Sequence, residues 1–170
     1  MVSDLPPQIR SRRDLEALLA RATNFEERRP PPAVRHPFKL GRVRAMFEAI
    51  GDPQRGPPTI HIAGSKGKGT VARMTAQIVE AAGRGPVGLY TSPHLNDLSE
   101  RIRIDGEPAT DEELCAAADR LMPHVRATLD TPDAPSCFEL LTGMAWLGFR
   151  ERGCEVVVLE TGLGGRLDAT

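Results

Sequence analysis

A glycine-rich turn set between a strand and a helix constrains this chain more than any other feature. Thr59-Ile60-His61-Ile62-Ala63 is a short β-rich run, Gly64-Ser65-Lys66-Gly67-Lys68-Gly69-Thr70 follows it, and Val71 to Ala82 reads as a helix ended by Gly83. A strand that feeds such a turn and then a helix presents several backbone N–H groups at a helix N-terminus, a geometry that binds phosphate. The glycines let backbone approach a ligand closely, Lys68 can reach terminal phosphates, and the Thr70 hydroxyl lies at the first helical turn. The spacing is G-x-x-G-K-G-T and departs from the common G-x-x-x-x-G-K-[ST]. Lysine usage sharpens the point: of 22 basic residues only Lys39, Lys66 and Lys68 are lysine, and two of those three stand in this loop. The competing reading is a glycine-rich turn with a solvated lysine. The strand–helix setting and the lysine bias both argue against it.

The rest of the chain supplies the frame. Arg12 to Ala22 reads as a helix with Leu15, Leu18 and Leu19 at helical spacing and Ser11 as N-cap. Arg29-Pro30-Pro31-Pro32 reads as an extended connector. A second helix is expected from Leu40 to Ile50, with Val43, Met46, Phe47 and Ile50 on one face, stopped by Gly51-Asp52-Pro53. Pro86 to Tyr90 and Glu155 to Glu160 read as buried strands. Arg101 to Asp105 alternates like a half-exposed strand before the Asp105-Gly106 turn. Thr110 with Glu113 is a capping-box signature opening a helix striped with Leu114, Ala117, Ala118, Leu121, Met122, Val125 and Leu129, which Pro123 should kink or split. Phe138 to Phe149 is apolar nearly all round and is expected to be buried. Strands alternating with helices predict an α/β domain with a mainly parallel sheet flanked by helices. The expected division is a helical segment over 1–58 that packs on a domain over 59–170.

Composition excludes several functions. With 40% hydrophobic and 26% charged residues the chain is an ordinary globular one, long enough at 170 residues for one domain. Residues 1–58 carry a net charge of +4 and residues 59–170 a net charge of −5, and aromatics are only 4%, so a nucleic-acid surface is not expected. No apolar stretch approaches the ~20 residues of a membrane span. Met1-Val2-Ser3-Asp4 lacks the pattern of a secretory signal. Cys115, Cys137 and Cys154 are odd in number and far apart, which fits neither a disulfide framework nor a zinc site and points to a reducing cytoplasm.

Other candidate residues sit at strand ends. Ligands of a parallel sheet lie outside the carboxyl ends of its strands, so Glu160 can face the phosphate loop and hold Mg²⁺, directly or through water. The competing reading is an ordinary strand-terminal carboxylate. Thr91-Ser92-Pro93-His94 follows the second strand at the same edge; Ser92 is a metal-ligand candidate, although a turn serine is the simpler reading when it is taken alone. His94 can contact substrate or be merely polar, His61 is expected to be a satisfied structural histidine, and Cys115 to be small-residue packing. Gly162-Leu163-Gly164-Gly165-Arg166-Leu167-Asp168 is a second glycine-rich loop at a strand end.

Together, HIAGSKGKGT (61–70), GLYTSPHL (88–95), ERIRIDGEP (100–108), FELLT (138–142) and VVVLETGLGGRLDAT (156–170) resemble the folylpolyglutamate synthase/dihydrofolate synthase family, relatives of the Mur peptide ligases. The resemblance covers nearly everything from residue 59 onward and, more weakly, the N-terminal helices. It implies a P-loop-type fold, the incomplete N-terminal ATPase domain of a Mur-ligase-like enzyme. It also implies an ATP-dependent carboxylate–amine ligase that uses ATP and Mg²⁺ to join L-glutamate to dihydropteroate or folate through an acyl phosphate. By the same resemblance Gly64 to Thr70 cradle phosphates, Lys68 and Glu160 are catalytic, and Ser92 with Glu160 coordinate Mg²⁺. Ser136, Cys137, Phe138 and Glu139, with Leu167, Asp168 and Ala169, line the pterin and substrate side; Arg101 and Arg103 are weaker candidates for positioning. Members of the family are usually monomeric and act on small molecules.

Two departures bear on that expectation. The family loop usually reads T-N-G-K-G where this chain has Ser65-Lys66-Gly67-Lys68-Gly69. The family's chains are also much longer. A third metal ligand (a histidine), a carbamylated lysine, further strands and a C-terminal domain are expected beyond Thr170, and residues 1–170 are expected to be inactive alone. The alternatives are a module that binds Mg-ATP without ligating and, last, a small-molecule kinase, which leaves the S-P-H-L and G-L-G-G-R-L-D-A-T segments unexplained.

Overall fold

A computed structural model describes residues 5–26 and 40–170. The Arg29–Pro32 connector, Lys39 and the Met1–Asp4 terminus lie outside the described residues. The elements run α1 (Arg12–Arg21), α2 (Leu40–Ala49), β1 (Thr59–Ile62), α3 (Lys68–Ala81), β2 (Val87–Tyr90), β3 (Ile102–Ile104), β4 (Glu107–Pro108), α4 (Asp111–Thr128), α5 (Cys137–Glu151) and β5 (Val156–Glu160).

The five strands form one sheet in the order β1-β5-β2-β3-β4. β5 is parallel to both β1 and β2, with Ile62 opposite Glu160 and Tyr90 opposite Leu159. This is the parallel core the alternation of strands and helices predicts. Beyond β2 the sheet is mixed: β3 runs antiparallel to β2, and β4 returns antiparallel to β3. The Asp105-Gly106 turn is legible in the sequence. The strand after it is not, because it is two residues long and contains a proline, which suits only a sheet edge.

Strand alternation divides the core. Tyr90, Ile102, Ile104, Val157 and Leu159 face α4 and α5, where Leu114, Leu121, Val125, Leu140, Met144 and Leu147 are buried. Leu15 and Leu18 of α1 and Val43, Met46 and Phe47 of α2 join the same cluster, so the N-terminal helices share this core. Val87, Leu89 and Val158 face the other way, onto Ala72 and Ala76 of α3.

Helix ends follow the capping rules. Ser11 with Asp14, Thr110 with Glu113 and Ser136 with Glu139 each form a reciprocal capping box. Pro123 neither ends nor splits α4, which continues as one helix from Asp111 to Thr128. Proline costs the helix an N–H, and here it stands on the exposed side, where water can serve the orphaned carbonyl. As expected, α5 is buried along most of its length, and Cys115 is packed inside.

Candidate functional site

The three parallel strands end at one edge of the sheet, and each contributes a different group there. From β1 the chain enters the loop and turns at Gly67, whose φ of +76° is left-handed and suits glycine. α3 therefore begins at Lys68, three residues earlier than periodicity suggests. Lys68, Gly69 and Thr70 form its first turn, and the Val71 N–H is the one that reaches back to the Gly67 carbonyl, at 3.0 Å. The N–H groups before it have no intrahelical acceptor. Among the described residues no side chain caps this helix, and no acidic residue stands in its first turn. The result is a positive helix end with open donors, the setting that binds an anionic oxygen. Lys66 is exposed and Lys68 half-buried, and neither side chain forms an ion pair among the described residues.

The central strand supplies Glu160. Its side chain is 6% exposed and lies on the α3 face of the sheet. Oε2 accepts the backbone N–H of Ser92, at the end of β2, at 3.0 Å. On the other side the carboxylate reaches the first turn of α3 so closely that a Cβ on Gly69 would stand 3.1 Å from Oε2 and 3.4 Å from Oε1. The sheet thus brings together Gly69, Ser92 and Glu160, which lie far apart in the chain. Among the described residues no group of three His, Cys, Asp or Glu side chains is placed to hold a metal ion. One buried carboxylate and a serine suit Mg²⁺, which keeps several waters and takes the rest of its oxygens from phosphates.

The residues expected on the substrate side fall into two groups. Phe138 covers Gly162 so closely that a Cβ there would lie 2.7 Å from its ring, and its centroid is 6.0 Å from that of Tyr90. Cys137 donates its N–H to the Thr23 carbonyl, and Ala169 packs against the main core. Ser136 and Glu139 are buried and engaged with each other. Glu139 accepts the Ser136 N–H at 2.6 Å and is gripped by the Arg42 guanidinium, with Nε at 2.9 Å and Nη2 at 2.8 Å. Asp168 organises its own loop, accepting the Leu163 N–H at 2.7 Å and the Thr170 hydroxyl at 2.6 Å, while Leu167 is exposed.

Sequence reasoning missed the partners in these contacts. Ser136-x-x-Glu139 has the same capping-box form as Thr110-x-x-Glu113 and was legible; Arg42, nearly a hundred residues away, carried no local signal. His61 is satisfied as expected, by Thr170 Oγ1 at 2.8 Å, although its strand is exposed. A cleft of about 780 Å³ opens between α1 and the 94–101 segment, with His94, Arg101 and Cys137 in its wall. No disulfide joins the three cysteines; burial pushes Cys154 up to about 11 and raises Cys115 as well, so neither of these two is a ready thiolate.

No protein-family model matches the chain. Curated relatives do: the dihydrofolate synthase/folylpolyglutamate synthase of Mycobacterium tuberculosis is 41% identical over 148 residues, 82% of this chain and 30% of that protein. The Bacillus subtilis enzyme of the same description is 38% identical over 133 residues, 77% of this chain and 31% of its own. Among solved structures, a Mycobacterium tuberculosis folylpolyglutamate synthase complexed with ADP matches with a TM-score of 0.77 and 40% identity, over 92% of this chain and 33% of that one. An E. coli relative in complex with DHPP and ADP matches with a TM-score of 0.77 and 32% identity, over 97% and 36%. The chain thus spans about a third of the length of these relatives. In sequence and in fold it belongs to the folylpolyglutamate synthase/dihydrofolate synthase family, of which it matches the N-terminal part.

Proposed function

We propose that this chain carries the nucleotide- and acid-binding part of an ATP-dependent ligase that joins L-glutamate to dihydropteroate or folate. The observation that supports it most is the convergence of the open α3 N-terminus, Ser92 and Glu160 at one sheet edge. In this reading residues 59–170 form the ATP-binding domain, residues 1–58 pack on it, and ligation requires the remaining length that the relatives carry. An oxygen of the acid's carboxylate attacks the γ-phosphorus of ATP and ADP leaves. The amine of glutamate then attacks the acyl carbon, phosphate leaves, and the amine gives up a proton.

The chain's own work is to neutralise and position. Gly64, Ser65, Gly67 and the amides of Lys68, Gly69 and Thr70 cradle phosphate oxygens, while Lys66 and Lys68 offset their charge. Ser92 and Glu160 would hold Mg²⁺, which when bound neutralises charge developing on the phosphates. Cys137, Phe138 and Ala169 form the apolar wall for the pterin. Ser136 and Glu139 hold that wall by capping α5, and Asp168 with Leu167 present the second glycine-rich loop. The protein acts as a cytoplasmic monomer on small molecules, and three cysteines with no disulfide between them fit a reducing compartment.

Calorimetric titration of Mg-ATP into residues 1–170 tests the nucleotide half: binding is expected, and Lys68→Ala is expected to abolish it. A longer protein containing residues 1–170 should release ADP in a glutamate-dependent manner with dihydropteroate or a reduced folate. Nucleotide binding without such release would favour a binding module instead.

A further inference from the structure

A chain of polar groups runs from the exposed Glu26 through the buried Arg101 to the half-buried His94. Arg101 is 3% exposed. Its Nη1 and Nη2 donate to the two oxygens of Glu26 at 3.0 and 2.5 Å, and its Nε donates to Nδ1 of His94 at 2.8 Å. A guanidinium has donors only and keeps its protons, so Nδ1 must supply the lone pair. The proton of the neutral ring is then on Nε2. No described residue hydrogen-bonds that nitrogen, and His94 stands in the wall of the 780 Å³ cleft together with Arg12, Thr23, Asn96 and Cys137. Glu100 is committed elsewhere: it accepts the N–H groups of Leu95, Asn96 and Asp97 and so holds the loop that carries the ring.

We propose that Arg101, braced by Glu26, is a positioning residue that fixes His94 as the Nε2–H tautomer, so that the ring offers a hydrogen-bond donor in the cleft to an anionic oxygen of the substrate acid. The inference rests on the ligase reading, because that reaction needs a site for the carboxylate of the substrate acid, and His94 lies two residues from Ser92 in the same loop. A histidine free to exchange tautomers would present an acceptor part of the time, and an acceptor repels such an oxygen. A lysine at 101 would keep the charge opposite Glu26 and lose the planar fork that reaches Glu26 and His94 together.

Long-range proton–nitrogen correlation on the 170-residue chain labelled with ¹⁵N-histidine reads the tautomer directly, with His94→Gln assigning the signals. A single Nε2–H tautomer is expected in the wild type, and a mixture in Arg101→Lys. A wild-type ring protonated at Nδ1, or a tautomer unchanged in a folded Arg101→Lys chain, overturns the proposal; the wild-type spectrum decides it even where the variant does not fold. Titration with pteroate and, separately, with inorganic phosphate then identifies the oxygen. The expected result is a displaced His94 Nε2–H signal with pteroate, and pteroate binding about tenfold weaker in His94→Gln. Displacement by phosphate alone assigns the donor to a phosphate oxygen, and no displacement by either overturns the donor role. Mg-ATP binding and its loss in Lys68→Ala stand or fall separately, so failure of the ligase reading and failure of this inference are told apart.

Discussion

On the face of the sheet toward α4 and α5, strand residues from Tyr90 to Leu159 meet two long helices, and the N-terminal helices close over them with Leu15, Leu18, Met46 and Phe47. On the opposite face the buried set is Ala72, Ala76, Val87, Leu89 and Val158 beneath a single helix. Val71, Met74 and Ile78 of that helix remain in solvent, Ile78 at 69% exposure. The nucleotide side of the candidate site belongs to the thin face: the first turn of α3 and the Glu160 carboxylate are both there. Most of the core packing and the nucleotide side of the candidate site thus lie on opposite faces of one sheet, and substitutions should separate them.

The largest loss is expected on the thick face. Arg42→Ala would leave Glu139 buried and unpaired at the start of α5 and should cost about 3–5 kcal/mol, read by urea unfolding. Truncating the core compares the faces directly. Leu121→Ala and Leu89→Ala each fall within about 2–5 kcal/mol, with Leu121 toward the top and Leu89 toward the bottom of that range; the reverse order would break the comparison. At the site the signs should split. Gly69→Ala favours the helix by up to about 1 kcal/mol but crowds the Glu160 carboxylate, so the melting temperature should hold while Mg-ATP affinity falls. The smallest effect is pH-dependent. The Glu113 carboxyl is held below its ordinary range, first by the Thr110 N–H and then by Arg152. Its contribution is present above the usual glutamate range and is lost as pH falls through it; Glu113→Gln should flatten that part of the stability curve.

Much of this difference was legible in the residues themselves. The apolar surround of Phe138–Phe149 marks a helix buried on several sides, and the glycine-rich run between Ile62 and Val71 marks a turn from a strand into a helix. The start of α3 was misplaced because Lys68, Gly69 and Thr70 carry no apolar periodicity; the left-handed Gly67 sets that boundary, and a glycine does not announce its φ. Contacts bridging distant segments were silent for a related reason. Glu139 and Arg101 were candidates in the sequence, but nothing local marked Arg42 or Glu26, far away in the chain, as their partners.

The strand order has a consequence for how the molecule comes into being. β5, the last strand among the described residues, lies between β1 and β2, which do not touch each other without it. As the polypeptide is synthesised, the phosphate loop leaves the ribosome early on a strand with no partner, and Glu160 comes with the residues that join the halves. Pairings this far apart in sequence form slowly, and segments waiting for them stay open to misassociation. The edge that carries the candidate site is therefore assembled only when β5 joins β1 to β2. A nascent chain ending before Val156 would hold helices and a hairpin but no continuous sheet and no site.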